Sequence, residues 1–308
     1  RTFKESLQKG IRSMEVKRFG LGLDANDAWL AAVRGDERAK VLSTGPSMAE
    51  RPGNGRQGQP IRGWREGEPP ADTKEKRAAE WPIPLEVLRE GAGYVVVNKP
   101  PGQLAHQAGR VLSGTLLNQL MDWLEARGLD PREARLVNRI DKDTSGIVLC
   151  AWQAAVAGAL GSSLQERGME KVYLAIAEGC PAAEHGDWTW PIAEAADSRI
   201  RREVRDDGQP SHTEWWVQER SCDGAFCLLR LRLHTGRQHQ IRVHAAQAGL
   251  PLVGDWLYGR PCEEIAGQCL HAHRLAFDDP ADGARITVEA PLPARLAGLW
   301  QELRAGGT

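Results

Sequence analysis

The densest group of reactive side chains in the chain lies at residues 139–146, Arg-Ile-Asp-Lys-Asp-Thr-Ser-Gly. It places two carboxylates, Asp141 and Asp143, beside a guanidinium and two hydroxyls, directly before an apolar run. A loop at a strand edge can hold a nucleophilic carboxylate next to an arginine that keeps it ionised and orients it. The same aspartates also suit turn or capping positions, so the segment by itself leaves both interpretations open.

A second cluster, residues 237–244, reads Arg-Gln-His-Gln-Ile-Arg-Val-His. Together with His234 it contains three histidines spaced five residues apart. Zinc pairs on one helix face usually lie about three or four residues apart, so this spacing disfavours a metal site. The cluster is better suited to contact phosphates and to supply one buried cation for a carboxylate elsewhere.

A third, basic cluster has two open interpretations: a solvated loop, or contact with an RNA backbone. Its members are Arg199, Arg201, Arg202 and Arg205.

The strand predicted at residues 171–177 carries a single aromatic side chain. Val172, Leu174 and Ile176 alternate there, which places Tyr173 on the opposite side of the strand from that apolar face.

The strand predicted at residues 229–233 alternates leucine with Arg230 and Arg232, so its polar side is basic. It runs directly into the turn Thr235-Gly236-Arg237. Further strands are predicted at residues 87–88, 94–97 and 147–151, and helices at 116–124, 153–167 and 238–248. For the first helix, Ser113 or Thr115 is available as the N-cap and Gly128 as the stop. Many short strands mixed with few helices favour an α+β sheet protein over a doubly wound one.

Composition limits the possible functions. The chain has 308 residues, 41% hydrophobic and 26% charged, which excludes disorder of the whole chain. A formal net charge of -1 provides no global positive field, so any nucleic-acid site must be a local patch. The six cysteines show no metal-binding or disulfide spacing and are expected to be reduced structural thiols.

No targeting or membrane segment is recognised. The weakly polar stretch at residues 146–161 is interrupted by Gln153 and falls short of the roughly 18 uncharged residues of a spanning helix. Residues 1–10 lack the hydrophobic block of a secretory signal. A cytoplasmic location is therefore expected, without a membrane partner.

The organisation changes near residue 80. Residues 45–80 are rich in Gly, Pro, Arg and Glu, which is typical of a linker or a flexible arm. We expect residues 1–80 to form an amino-terminal extension without a recognised domain, and residues 81–308 to form the functional domain.

Several ordered blocks resemble the RluA-type pseudouridine synthase family, from about residue 84 to residue 293. Residues 139–146 resemble its Arg-Leu-Asp-x-x-Thr-Ser-Gly signature, and residues 235–244 closely follow its Thr-Gly-Arg-x-His-Gln-Ile-Arg-Val-His block. The remaining matches are the Asn-Lys-Pro-x-Gly block at 98–102, the Lys-x-Tyr block at 171–173, the Gly-Asp-x-x-Tyr-Gly block at 254–259, and the closing segments at 271–272 and 289–291.

The resemblance implies a bent, mixed and mainly antiparallel sheet with flanking helices and a central catalytic cleft. It implies that Asp141 is the catalytic aspartate that isomerises uridine to pseudouridine, without cofactor or metal. Tyr173 would lie against the flipped uracil, and Arg242 would pair with Asp141.

The resemblance also implies an RNA partner, ribosomal or transfer RNA. Arg139 would enter the RNA stack or hold the flipped nucleotide, and Arg232, Arg237 and His239 would contact RNA. A monomer is the default expectation.

The chain departs from the family pattern in two places. Asn138 stands where the family commonly has His, and Ile140 where it commonly has Leu, so the subgroup stays open. The S4 RNA-binding pattern that many relatives carry is not found in residues 1–80. One alternative is an inactive RNA-binding protein on the same scaffold. Another is a glycosidase, which would need a second carboxylate about 5 to 10 Å away, with Asp143 the only nearby candidate.

Overall fold

The computed structural model describes residues 84–108 and 113–306, apart from the side chain of Arg199. The amino-terminal extension and its boundary near residue 80 lie outside these residues and stay predictions. No helix in this described part has the length and apolarity that crossing a bilayer requires.

The described residues form the strands and helices of an α+β fold. The strands are β1 Val87–Gly91, β2 Tyr94–Lys99, β3 Arg135–Leu136, β4 Ser145–Ala151, β5 Glu170–Glu178, β6 His185–Trp188, β7 Ile192–Ala195, β8 Ser198–Val204, β9 Thr213–Arg220, β10 Phe226–Leu233, β11 Leu270–Asp278 and β12 Arg285–Glu289. The helices are α1 Leu116–Glu125, α2 Ala154–Gln165, α3 Gln240–Gln247 and α4 Ala294–Arg304.

Ten of these strands form one sheet, whose main path runs β1-β2-β4-β11-β5-β10-β9-β6. β12 is added beside β11 and β3 beside β4, while β7 and β8 form a separate hairpin. Within the sheet all pairs are antiparallel except β4 with β11, which run parallel through two residue pairs. The predicted mixed, mainly antiparallel α+β sheet is thereby confirmed.

Helix α1 begins where the hydrophobic spacing predicts it. Of the two proposed caps, Thr115 is the one used: its hydroxyl accepts the Asn118 amide at 3.3 Å, and the Asn118 side chain accepts the Thr115 amide at 3.2 Å. This reciprocal pair satisfies two amides that the first turn leaves unpaired. The helix then buries Leu116, Leu120 and Leu124 against the sheet.

Among the described residues, two helices cover each face of the sheet. On one face, leucines of α1 and Ile241 of α3 share a core with alternate residues of β2, β4, β5 and β10. On the other face, Leu160 of α2 packs with Val96, and Trp300 of α4 packs with Ile176. Strands that are buried on both sides lose the apolar–polar alternation of a half-exposed sheet.

The basic side of β10 lies on the α4 face. Leu231 pairs with Tyr173 and faces α3, so its neighbours Arg230 and Arg232 point the other way. The Arg230 guanidinium lies 4.2 Å from the centre of the Trp216 ring. Arg232 lies 3.8 Å from Glu170 and 4.0 Å from Glu214. The positive charge on this face is therefore largely matched by neighbours.

His271 is a fully buried histidine where β11 meets β4. Its Nε2 lies 3.2 Å from the Ala290 carbonyl oxygen, which can only accept, so Nδ1 accepts the Ser145 hydroxyl at 2.9 Å. Burial lowers the pKa of His271 to about 4. The folded protein therefore holds this ring neutral, whereas the unfolded chain protonates it near its ordinary pKa.

We predict that His271→Gln reduces the acid sensitivity of folding. Between pH 6.5 and 4 the unfolded wild-type chain binds a proton at this ring that the folded state does not. His271 therefore does not reduce the free energy of unfolding above pH 6.5. As the pH falls toward 4, it lowers that free energy by an amount on the order of 3 kcal/mol. Urea unfolding at pH 7 and pH 4.5 should show a smaller drop for the variant. The exposed His185→Gln is the control, and equal drops in all three proteins would contradict the prediction.

Candidate active site

Asp141 lies in the loop between β3 and β4, and this loop is tied to the sheet at several points. The Asn138 side chain accepts the Leu149 amide of β4 at 2.7 Å, and Ile140 is buried in the core on the α3 face. The Thr144 amide donates to the Asp141 carbonyl at 3.2 Å and closes a turn. The Asp141 side chain remains 26% exposed. Both residues that depart from the family pattern therefore help to hold this loop.

Lys99 connects the end of β2 to the same loop. Its ammonium group is fully buried and donates to the carbonyls of Pro100, Gln103 and Lys142, each at 2.9 Å. Burial lowers the pKa of Lys99 to about 7, against the opposing charges of the two loop aspartates. Sequence reasoning assigned Lys99 no role, although it is part of the matched Asn-Lys-Pro-x-Gly block.

Asp143 and Asp141 are used differently. Asp143 packs against Gly267, whose φ of 93° and missing side chain leave room for it. At the end of the loop, Gly146 has a φ of 108° and its Cα faces the backbone of Ala272, so no other residue fits there without strain. Asp141 is the loop carboxylate that reaches the cation supplied by α3.

That cation is Arg242, whose side chain is only 6% exposed. Its Nη1 donates to Asp141 Oδ2 at 3.2 Å. Its other edge is bound by Asp255, with Nε to Oδ2 at 2.7 Å and Nη2 to Oδ1 at 2.8 Å. Burial alone would lower the pKa of Arg242, but the hydrogen bonds and charges of Asp255 and Asp141 raise it above its ordinary value. The guanidinium is therefore a permanent cation held in one orientation.

Asp255 is the most important residue that sequence reasoning missed. It is fully buried, and its Oδ1 also accepts the amides of Leu257 and Tyr258 at 3.1 and 3.2 Å. These bonds fix the carboxylate in its own turn before it binds Arg242. The matched Gly-Asp-x-x-Tyr-Gly block could have pointed to this residue. A buried arginine needs anions to compensate its charge, and this block contains a carboxylate.

Tyr173 projects from β5 on the face that α3 covers, and it is 7% exposed. Burial raises the pKa of its hydroxyl, and the negative charge of Asp141 raises it further, so the phenol stays neutral. The expected placement of Tyr173 opposite Val172 and Ile176 agrees with the structure. The ring supplies an apolar wall near the Asp141 carboxylate.

His239 and Tyr258 complete the surroundings of Asp141. His239 Nε2 lies 3.9 Å from Asp141 Oδ2, and its Nδ1 lies 2.8 Å from the Tyr258 hydroxyl. That hydroxyl accepts the Arg202 amide at 2.8 Å, which docks the β7–β8 hairpin beside α3. Burial lowers the pKa of His239, although Asp141 opposes the shift, and burial raises the pKa of Tyr258 to about 12. Both side chains therefore present neutral rings at neutral pH.

Comparison with known proteins identifies this arrangement. Residues 93–247 match the family model described as RNA pseudouridylate synthase. The chain is 38% identical over 229 residues to "Uncharacterized RNA pseudouridine synthase YlyB" of Bacillus subtilis, covering 73% of this chain and 75% of that protein. The chain belongs to the RNA pseudouridine synthase family. The resemblance to RluA-type enzymes is confirmed, and the protein is an RNA pseudouridine synthase.

Other relatives of this pseudouridine synthase agree. "Ribosomal large subunit pseudouridine synthase D" of Xanthomonas campestris is 37% identical over 241 residues, covering 74% of this chain and 72% of that protein. "Human RNA Pseudouridylate Synthase Domain Containing 1" superposes with a TM-score of 0.56 at 26% identity, covering 72% of this chain and 95% of that one. "Human RNA Pseudouridylate Synthase Domain Containing 4" has a TM-score of 0.60 at 22% identity, covering 71% and 93%, and supports the fold alone.

The predicted RNA-contacting residues of the synthase separate into two groups. Arg139, on the Asp141 loop, and Arg237, just before α3, are exposed, and Arg237 Nε donates to the Pro210 carbonyl at 3.1 Å. His239 lies beside Asp141. Arg232, in contrast, points to the α4 face, away from Tyr173 and Arg242. The structure therefore brings Asp141, Arg242 and His239 together, with Tyr173 on the same face of the sheet, whereas Arg232 lies on the opposite face.

The basic cluster on β8 and just after it is partly compensated. Arg201 pairs with Asp197 at 2.8 Å, and Arg205 with Asp207 at 2.6 Å. Arg202 donates to the Gln238 side chain at 2.7 Å. In the described part of the chain no group of three or more His, Cys, Asp or Glu side chains is arranged to hold a metal ion.

We predict that Asp255→Asn lowers the free energy of unfolding of the synthase by about 3 kcal/mol, because it leaves the buried Arg242 with half of its compensating charge. The control is Asp207→Asn, which breaks an exposed pair with Arg205 and should cost less than about 1 kcal/mol. Urea denaturation at pH 7 measures both losses. Similar values for the two variants would show that the clamp on Arg242 contributes no special stability.

Proposed function

We propose that this synthase modifies ribosomal RNA of the large subunit and that Asp141 is its catalytic residue. The observation that carries the proposal is the position of the Arg242 guanidinium. Asp255 binds one edge of it, and its Nη1 donates a hydrogen bond to Asp141 at 3.2 Å. The Asp141 carboxylate thereby faces a permanent cation, near the Tyr173 ring on the α3 face of the sheet. The substrate is inferred from relatives named ribosomal large subunit pseudouridine synthase D.

The proposed reaction exchanges one bond to the ribose. The bond from C1′ to N1 of uracil breaks, and a bond from C1′ to C5 forms after the base rotates. The proton on C5 leaves, and N1 gains one, so no oxidant, reductant or cofactor is required. Asp141 stabilises the positive character that develops at C1′, by electrostatics or by covalent attack.

The other proposed roles follow from burial. The detached uracil must rotate without escaping, and Tyr173 offers an aromatic wall against which it can turn. Because a duplex buries the base and its glycosidic bond, the uridine must be extruded from its helix or lie in a loop. Arg139, an exposed residue on the same loop as Asp141, is proposed to fill the space that the base leaves or to hold the extruded nucleotide. His239, neutral and next to Asp141, is proposed to contact the extruded nucleotide.

We predict that the wild-type protein releases tritium from C5 when it is incubated with [5-³H]uridine-labelled ribosomal RNA that lacks modifications. Asp141→Asn should release none and should still bind the RNA, because it removes the reacting charge and little else. Asp143→Asn is the matched control and should keep most of the turnover, since Asp143 packs against Gly267 rather than on Arg242.

The outcomes separate the alternatives. Undiminished turnover by Asp141→Asn would refute the catalytic assignment. Release from transfer RNA but not from ribosomal RNA would correct the substrate. Binding by the wild-type protein without release from either RNA would favour the inactive RNA-binding alternative.

We also predict that Arg237→Gln weakens RNA binding and makes its dependence on salt shallower. The loss of one phosphate contact reduces the slope of log K against log salt by about 0.7 to 0.9. Arg232→Gln is the comparison, because Arg232 lies on the opposite face of the sheet and is paired with glutamates. Its slope should equal that of the wild type. An equal reduction in both variants would mean that RNA also contacts the α4 face.

A further inference from the structure

Lys171 is a cation that the reaction described above does not use. It lies near the start of β5, two residues before Tyr173, and alternate residues of a strand share one face. Its partner across the ladder is Leu233, which packs against the core that contains Tyr173 and Ile241. Lys171 therefore projects from the same face of the sheet as Tyr173, the face that α3 and Arg242 occupy.

The Lys171 ammonium lies beside the turn that leads into α3. A Cβ atom placed on Gly236 would lie 3.6 Å from Nζ, so this turn borders the ammonium. Gly236 and Arg237 are exposed, whereas the Thr235 hydroxyl is occupied, accepting the His212 amide and donating to Gln240. The Cα atoms of Lys171 and Tyr173, two residues apart on one strand, are separated by about 7 Å, so both side chains start close together on this face.

Lys171 has no anionic partner of its own. Within residues 84–108 and 113–306, no carboxylate lies within ion-pair distance of its ammonium, and no group accepts a hydrogen bond from it. Burial lowers its pKa. On the opposite face, by contrast, Arg274 lies 3.1 Å from Glu170. A partly desolvated cation without an anion is unfavourable in the free protein, and the cost falls when a ligand supplies the negative charge.

We propose that Lys171, together with the Gly236–Arg237 turn, forms a subsite for a backbone phosphate of the RNA next to the extruded uridine. This inference rests on the proposed function. The phosphate would accept hydrogen bonds from the ammonium and supply the negative charge that it lacks, which anchors the RNA backbone on the Tyr173 face of the sheet. Lys171 is thus a substrate-binding residue that takes no part in the bond exchange at C1′.

The test compares full-length wild type with Lys171→Met, Lys171→Gln and Lys171→Arg. We expect Lys171→Met to weaken binding of a single-stranded or loop RNA about tenfold. The salt slope should become shallower by about 0.7, the value for one phosphate on a single strand. KM should rise while kcat at saturating RNA stays within about twofold of the wild type. Lys171→Arg should restore both affinity and slope.

Stability and a control distinguish binding from a structural role. Lys171→Met should unfold at the same urea concentration as the wild type or a higher one, because it removes an uncompensated charge from a partly buried site. Arg304→Gln, on α4 and paired with Glu219 at 2.9 Å, should leave the RNA affinity and slope unchanged. Should Lys171→Met fold poorly, the same comparison is made with Lys171→Gln.

Three results would overturn the subsite: a wild-type salt slope in both neutral variants, a fall in kcat with unchanged KM, or failure of Lys171→Arg to restore binding. These results are separable from failure of the proposed function. A wild-type protein that binds RNA without releasing tritium would defeat the catalytic proposal, and the slopes of the Lys171 variants would still decide the phosphate contact.

Discussion

The candidate active site depends on one buried guanidinium shared between two carboxylates. Arg242 is removed from water, and such a charge is tolerated only when anions and hydrogen bonds replace its hydration. Asp255 takes two of its N–H groups in a bidentate contact and is itself fixed by backbone amides. This leaves Nη1 with a single direction, toward Asp141. The orientation of the Asp141 carboxylate is therefore set in part by a buried residue that lies behind Arg242.

The surrounding elements can be understood as supports for that contact. The ammonium of Lys99 ties the end of β2 to the Asp141 loop, and Asn138 ties the same loop to β4. Tyr173 comes from the middle of the sheet, and Arg242 comes from a helix packed on it. Residues far apart in the chain converge only after the sheet has formed, so the site is stable to the extent that the sheet is. Gly146 permits the close approach of the loop to β11 that this convergence needs.

Local patterns in the sequence predicted much of this fold, and they failed where the answer depends on partners distant in sequence. Leucine spacing predicted α1, and alternation predicted the strands that carry Tyr173 and Arg232. The same alternation indicates that Arg232 and Leu231 lie on opposite faces of the sheet. It does not reveal that the face of Leu231 is the one that carries the candidate site. Helices cover both faces of this sheet, so a polar side chain on β10 is not thereby directed to the cleft. Asp255 was missed because its function is to be buried against Arg242, which no spacing of reactive residues shows.

The distribution of paired and unpaired cations creates local positive charge in a nearly neutral protein. With a formal charge of -1 there is no overall attraction to a polyanion, so the local field must guide it. On the α4 face and on the hairpin, several arginines are matched by nearby carboxylates, as Arg232 and Arg201 are. Within the described residues, Arg139, Arg237 and Lys171 have no carboxylate at ion-pair distance; Arg139 lies in the Asp141 loop, Arg237 just before α3, and Lys171 on β5 near Tyr173. Ion pairing elsewhere therefore leaves uncompensated positive charge on the elements that carry Asp141 and Tyr173, and under the proposed function this charge would attract the RNA backbone there.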